Sequence, residues 1–211
     1  MNAPDATRER LLSSASDLVY RQGYEATGVA QICAAAGARK GSFYHFFPSK
    51  SALVEATLER SWTEHLERVL DPAFAARTLP EQLQSWGDRL ADVHRSHQQA
   101  PGGRVHGCRF GNLALEVSTN DPVLRDAVAG RLEAMALYVA GHLLRASERG
   151  EWHGEQGHVV TEDTAAHAAR GLVAHMEGLA VLAKVTDEAA PLHRLGADAA
   201  RLLGLASSGS V

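Results

Sequence analysis

A single isoleucine stands against 36 alanines and 25 leucines in this chain of 211 residues. Ala and Leu lead the helix-propensity order while β-branched residues lead that of strands, so the balance favours helices throughout. The chain is long enough to bury a sizeable core as one domain or two small ones. An all-α fold is the expectation.

Apolar spacing and glycine punctuation divide that fold. Leu11, Leu12, Ala15, Leu18 and Val19 recur at helical steps between Thr7 and Gln22, and Gly23 stands where a left-handed cap is expected. Thr27 occupies an N-cap position before a short apolar helix holding Ala30, Ile32, Cys33, Ala34 and Ala36, which Gly37 ends. A third helix runs from Arg39 to Phe46, and Pro48 opens a fourth from Ser49 to Leu66. Two short helices joined by a tight Gly turn, after a longer one, form a helix-turn-helix pattern. Further on, the spacing predicts helices over Leu79–His97, Phe110–Val117, Pro122 to Gly150, Glu162–Lys184 and Pro191–Leu205, nine in all. Residues 150–160 read as a loop, and the first six residues and 207–211 as disordered ends.

The formal net charge of −4 disfavours a nucleic-acid partner only as an average. Residues 1–50 hold six basic side chains against four acidic ones, whereas residues 51–211 hold 15 against 21. The part of the chain attracted to phosphate is therefore the helix-turn-helix segment. Phe43, Phe46 and Phe47 are expected to fill its small core, leaving Arg39, Lys40, Ser42, Tyr44 and His45 facing outward. Gly41 inside the third helix costs about 1 kcal/mol relative to Ala, and close approach of the backbone to a duplex is one reason to keep it.

The stretch GARKGSFYHFFPSKSAL (37–53), preceded by TRERLLSSASDLVYRQGYEATGVAQICAAAG, resembles the DNA-binding segment of the TetR family of transcriptional regulators. The resemblance covers residues 7 to about 54. It implies a division into a helix-turn-helix DNA-binding domain (1–54) and an effector-binding and dimerisation domain (55–211). It also implies base-edge or major-groove contacts from Arg39, Lys40, Ser42 and His45, and phosphate contacts from Thr27, Tyr44 and Lys50. One departure is Arg39, at a position often held by a capping hydroxyl; either the cap is lost or Arg39 contacts the operator.

Regulators of this family bind a small molecule among the helices of the larger domain, and the two recognition helices of a dimer must enter successive major grooves, roughly 34–36 Å apart. Candidate effector-lining residues are Trp86, His106, Phe110, Met135, Tyr138 and His142, large or polar groups on otherwise apolar faces. The Glu162–Lys184 segment is apolar over more than one face, so it packs on two sides. With the last helix it is the expected homodimer interface, with Leu179 and Leu202 at the contact; a central core helix in a monomer is the other reading. The segment Gly107-Cys108-Arg109-Phe110 resembles the Gly-Cys helix start of a branch that includes repressors of electrophile-detoxifying reductases. A thiol at a helix N-terminus, with Arg104, His106 and Arg109 nearby in sequence, is expected to have a lowered pKa. Cys108 is thus a redox-sensing candidate, with a small buried residue as the other reading; Cys33 reads as core.

The resulting expectation is a ligand-responsive or thiol-responsive repressor, with a palindromic double-stranded DNA operator, a small-molecule effector and no cofactor, metal or catalytic role. Two cysteines 75 residues apart fit reduced thiols in a cytoplasmic protein, and neither a signal peptide nor a membrane-length apolar run is legible. Two rival readings are a metal-dependent helical-bundle enzyme, suggested by His94 and His97, and an effector-blind DNA-binding protein with a filled second domain. The first lacks a His-Glu-x-x-His grouping, and its only Glu-x-x-His, Glu155 to His158, falls in a Gly-rich loop.

Overall fold

The computed structural model describes residues 3–100, 102–117, 120–154 and 159–205. Its helices are α1 (Ala3–Gln22), α2 (Val29–Ala35), α3 (Lys40–Phe46), α4 (Lys50–His65), α5 (Leu79–Gln98), α6 (Arg109–Val117), α7 (Pro122–Glu148), α8 (Glu162–Thr186) and α9 (Leu195–Leu202). A π-helical stretch, Leu66–Leu70, and a last α-turn, Asp71–Phe74, prolong α4, and a 3₁₀ turn, Ala190–Arg194, leads into α9. Counted with those extensions, the described residues form nine helical rods.

Three local expectations need correction. Residues 3–6 are helical, because α1 begins at Ala3. Gly28, not Thr27, is the N-cap of α2; the Gln31 side chain accepts the Gly28 N–H at 2.8 Å. The last helix is 3₁₀ up to Arg194 and α-helical only from Leu195 to Leu202. Residues 206–211 and the Glu155–His158 motif lie outside the described residues.

The packing divides into two units, the first made of residues up to 63 with 109–131, the second of 64–108 with residues from 132 onward. In the first, Leu11, Leu12 and Ala15 of α1 bury against Ile32 and Cys33 of α2 and Phe43 of α3, with Phe47 and Leu53 completing the core. Burying a side chain the size of Phe43 or Leu11 stabilises by about 1.5–3 kcal/mol. Phe46 is only partly buried against this cluster. The Arg10 Nε donates to the Ala36 carbonyl at 2.9 Å, satisfying an orphan acceptor at the end of α2. Residues of α6 belong to the same unit: Arg109 donates to the carbonyl and hydroxyl of Ser16 at 3.2 and 2.9 Å, and its guanidinium lies 4.0 Å from the Tyr20 ring centre.

In the second unit, α5 opens with a capping box. The Thr78 hydroxyl accepts the Glu81 N–H, and Glu81 accepts the Thr78 N–H at 3.1 Å. The Trp152 indole donates to the Leu203 carbonyl at 3.1 Å and ties the chain after α7 to the end of α9. Helix α8 buries Ala165, Ala169, Leu172, Met176, Leu179 and Ala183 within this unit, while Val181, Leu182 and Val185 are exposed. Leu179 therefore belongs to the subunit's own core and not to an outward face. Leu202 is exposed. Among the described residues no helix is long and apolar enough to cross a membrane.

Candidate nucleic-acid interface and effector region

Helix α3 is only seven residues long, and its two sides differ sharply. Phe43 is fully buried, and the following Phe47 nearly so, whereas Arg39, Lys40, Tyr44 and His45 are exposed and Ser42 is partly so. Arg39 is the N-cap residue, and because a guanidinium has no acceptor its side chain makes no capping bond: the side-chain cap is lost. A β-carbon added at Gly41 would meet nothing within 4 Å. Nothing inside the chain demands glycine there, which agrees with a backbone face kept open for a partner.

The remaining two expected phosphate contacts are tied to the turn between α1 and α2. Thr27 is fully buried; its hydroxyl donates to the Gly23 carbonyl at 2.6 Å and accepts from Gln22 at 3.2 Å. With its hydroxyl turned inward, Thr27 shapes the turn, and a phosphate contact from that hydroxyl does not fit this geometry. Lys50 donates to the Tyr24 carbonyl at 2.9 Å, with its ammonium 3.8 Å from the centre of the Tyr24 ring. The Tyr24 phenol donates to Asp121 at 3.2 Å, and the Ser51 hydroxyl donates to the same carboxylate oxygen at 2.8 Å. The other Asp121 oxygen accepts the Leu124 N–H at 3.1 Å, so Asp121 also caps α7. Burial and the neighbouring Asp121 charge push the Tyr24 phenol up to about 12. Burial alone would raise Asp121, but the bonds from Leu124, Ser51 and Tyr24 outweigh it and hold the carboxyl below its usual range.

Three of the six candidate effector-lining residues come together in the second unit around Phe74. The Phe74 ring centre lies 5.9 Å from that of Trp86, 5.7 Å from Tyr138 and 4.5 Å from His142. Tyr138 donates to Asp71 at 2.8 Å. Burial, helped by Arg145 and Arg149, lowers the His142 imidazole to about 4 and keeps the ring neutral. The buried Trp86 Nε1, and the buried Gln82 Oε1 one turn earlier on α5, have no hydrogen-bond partner among the described residues. Met135 is fully buried, His106 partly so, and Phe110 packs edge-on against Trp62 in the first unit. A small cleft in the first unit, with a cavity volume of only about 20 Å³ and lined by Ser16, Tyr20, Thr57, Arg109 and Glu116 among others, is bordered by none of the six.

Cys108 precedes the first residue of α6 and is partly buried. It hydrogen-bonds Glu177, whose carboxyl is pushed up by burial against the opposing pull of that bond. A β-carbon on Gly107 would lie 3.4 Å from Cβ and Cδ of Lys184, so the lysine stem runs beside the Gly-Cys step. The two arginines expected to support a thiolate are engaged elsewhere, Arg104 with Asp187 at 3.5 Å and Arg109 with Ser16. Cys33 is buried in the first core, and burial raises its thiol pKa. The His94 and His97 ring centres are 6.3 Å apart, and among the described residues no group of three or more His, Cys, Asp or Glu side chains can hold a metal ion.

Sequence periodicity missed Tyr24, Glu116, Asp121, Phe74 and Glu177. Only Asp121 carried a local signal, as Asp before Pro at a helix start; the others act through partners far away in the chain.

An exposed basic and polar helix on a three-helix head, followed by a separate helical unit, defines a helix-turn-helix DNA-binding regulator. Residues 11–57 match the model of bacterial regulatory proteins of the tetR family, and residues 80–198 match the LmrA/YxaF-like transcriptional regulator C-terminal domain. The chain belongs to the TetR family of transcription regulators, whose members act on DNA operators and are not enzymes. It is 26% identical to an uncharacterized helix-turn-helix regulator of Lactococcus lactis over 86% of this chain and 85% of that one. It is 31% identical to the transcriptional repressor NemR of Escherichia coli K12, over 58% of this chain and 59% of NemR. Among solved structures, a TetR transcriptional regulator from Chloroflexus aurantiacus is 27% identical with a TM-score of 0.76, covering 98% of this chain and 100% of that chain.

Proposed function

We propose that this regulator is a cytoplasmic, homodimeric repressor that binds a short palindromic operator through α3 and releases it when a small molecule occupies the second unit. The carrying observation is the division of α3: Phe43 is buried in the head while Arg39, Lys40, Tyr44 and His45 face outward. In this reading Arg39, Lys40, Ser42 and His45 read base edges, and Tyr44 and Lys50 contact phosphate. A relative named as a repressor, NemR, supports the sign of regulation. The exposed apolar residues Val181, Leu182 and Val185 of α8, together with Leu202 of α9, support a two-fold interface between the C-terminal helices. The effector site is the aromatic group around Phe74, where a buried indole N–H and a buried amide oxygen lack, among the described residues, partners that a ligand can supply. The effector acts by its differential affinity for the DNA-competent and DNA-incompetent states.

The test is anisotropy of a labelled duplex carrying the DNA upstream of the protein's own gene. Binding much tighter than to a random duplex, lost on Lys40→Ala, is the expected result; equal affinity for both duplexes contradicts the reading.

A second mode of release, thiol modification, is supported by the partial exposure of Cys108 just before α6 and by the Lys184 stem beside the Gly107-Cys108 step, while the bond to Glu177 opposes it. N-ethylmaleimide treatment is expected to abolish operator binding by the wild type and to spare Cys108→Ser. A thiol pKa at or above about 8.5 with unaltered binding after treatment removes this mode.

A further inference from the structure

We propose that Tyr24 and Asp121 are positioning residues for DNA binding: Asp121 fixes Tyr24, and Tyr24 holds the Lys50 ammonium where it meets a phosphate. The inference rests on the reading of Lys50 as a phosphate contact and extends it to two residues that need not touch DNA.

The arrangement is a set of contacts that joins three segments far apart in sequence, around Tyr24, Lys50 and Asp121. Lys50 donates to the Tyr24 carbonyl at 2.9 Å and lies over the Tyr24 ring at 3.8 Å. The ring cannot drift, because Tyr24 is 7% exposed and its phenol donates to Asp121 at 3.2 Å. Asp121 is itself fixed from two more sides, by the Ser51 hydroxyl at 2.8 Å and the Leu124 N–H at 3.1 Å. Ser51 is the residue after Lys50, so Asp121 holds both the tyrosine under the ammonium and the backbone that carries the lysine.

A solvated lysine has a flexible four-carbon stem and loses rotamer freedom when it engages a phosphate. Holding it in place beforehand removes part of that ordering cost, which appears as affinity. One of the three ammonium N–H donors is spent on the Tyr24 carbonyl, leaving two for a phosphate. The ring face beneath the ammonium adds attraction that opposes its retreat into solvent.

A double-mutant cycle on a labelled random-sequence duplex at low salt tests this without knowledge of the operator. Tyr24→Phe keeps the ring and removes only the phenol donor; it is expected to weaken binding about three- to tenfold and to lower the salt slope. In a Lys50→Ala background the same change is expected to have almost no effect, because the group it positions is gone. Asp121→Ser, which retains a capping hydroxyl for Leu124, is expected to behave like Tyr24→Phe and serves as the second cycle if that variant folds poorly. Wild-type binding by Tyr24→Phe and Asp121→Ser, or an equal loss with and without Lys50, overturns the positioning role while leaving the phosphate contact standing. Unchanged affinity and salt slope in Lys50→Ala alone instead overturns the phosphate reading beneath it.

Discussion

Glu116 closes over Gly23: both of its carboxylate oxygens lie 2.9 Å from the point where a β-carbon on Gly23 would stand, and one accepts the Glu25 N–H at 3.0 Å. Gly23 has φ of +94° at the end of α1. An alanine there suffers both the left-handed backbone and the displaced carboxylate. Gly23→Ala is expected to lower stability by at least about 1–2 kcal/mol, read by chemical denaturation. A change within a few tenths of a kcal/mol would show that neither the left-handed backbone nor Glu116 constrains this position.

Lys50 and Arg39 are assigned different tasks, and salt separates them. Lys50→Ala should weaken binding to every duplex and reduce the slope of log affinity against log salt by about one. Arg39→Ala should change which sequence is preferred, measured by selection from a randomised duplex pool. An unchanged preference returns Arg39 to a solvated surface charge.

The interface prediction also divides two leucines on α8. Leu182→Glu with Val185→Glu changes exposed positions and should yield folded monomers in sedimentation that no longer bind the operator. Leu179→Glu, at a position 6% exposed, should unfold the subunit and not merely dissociate it. A stable dimer of the Leu182, Val185 double variant rules out this face.

Burial, and next the neighbouring His94, lower the His65 imidazole from 6.5 to about 4. The unfolded chain therefore binds this proton first, so the contribution of neutral His65 to stability is whole above pH 6.5 and is lost as pH falls toward 4. The loss amounts to roughly 3 kcal/mol. In denaturation curves across that window, His65→Gln should flatten the pH dependence relative to wild type; parallel curves would assign the acid sensitivity to other groups.

Helices whose apolar positions repeat over several turns were legible from the sequence. Leu79 and Glu162, after their capping threonines, open α5 and α8 where the pattern places them. The errors came where a local signal had competitors. Thr27 has the right side chain for a cap, yet its hydroxyl is drawn to the Gly23 carbonyl, and Gly28 with Gln31 starts the helix instead. Leu179 lies on a helix apolar on two sides, and periodicity alone does not say which side faces the subunit's own core. The outward-facing polar residues of α3 followed from the helical spacing of Phe43, Phe46 and Phe47. The Tyr24, Asp121 and Phe74, His142 contacts join residues dozens of positions apart, so no window of sequence contains both partners.

The central claim is that α3 of a two-fold dimer reads an operator. Footprinting of the DNA upstream of the protein's own gene, titrated with purified dimer at physiological salt, tests it most directly. Two protected half-sites about 10–10.5 base pairs apart, or a multiple of that, bound roughly a thousandfold or more tighter than random duplex, are expected. Uniform protection at the affinity of random DNA would contradict it.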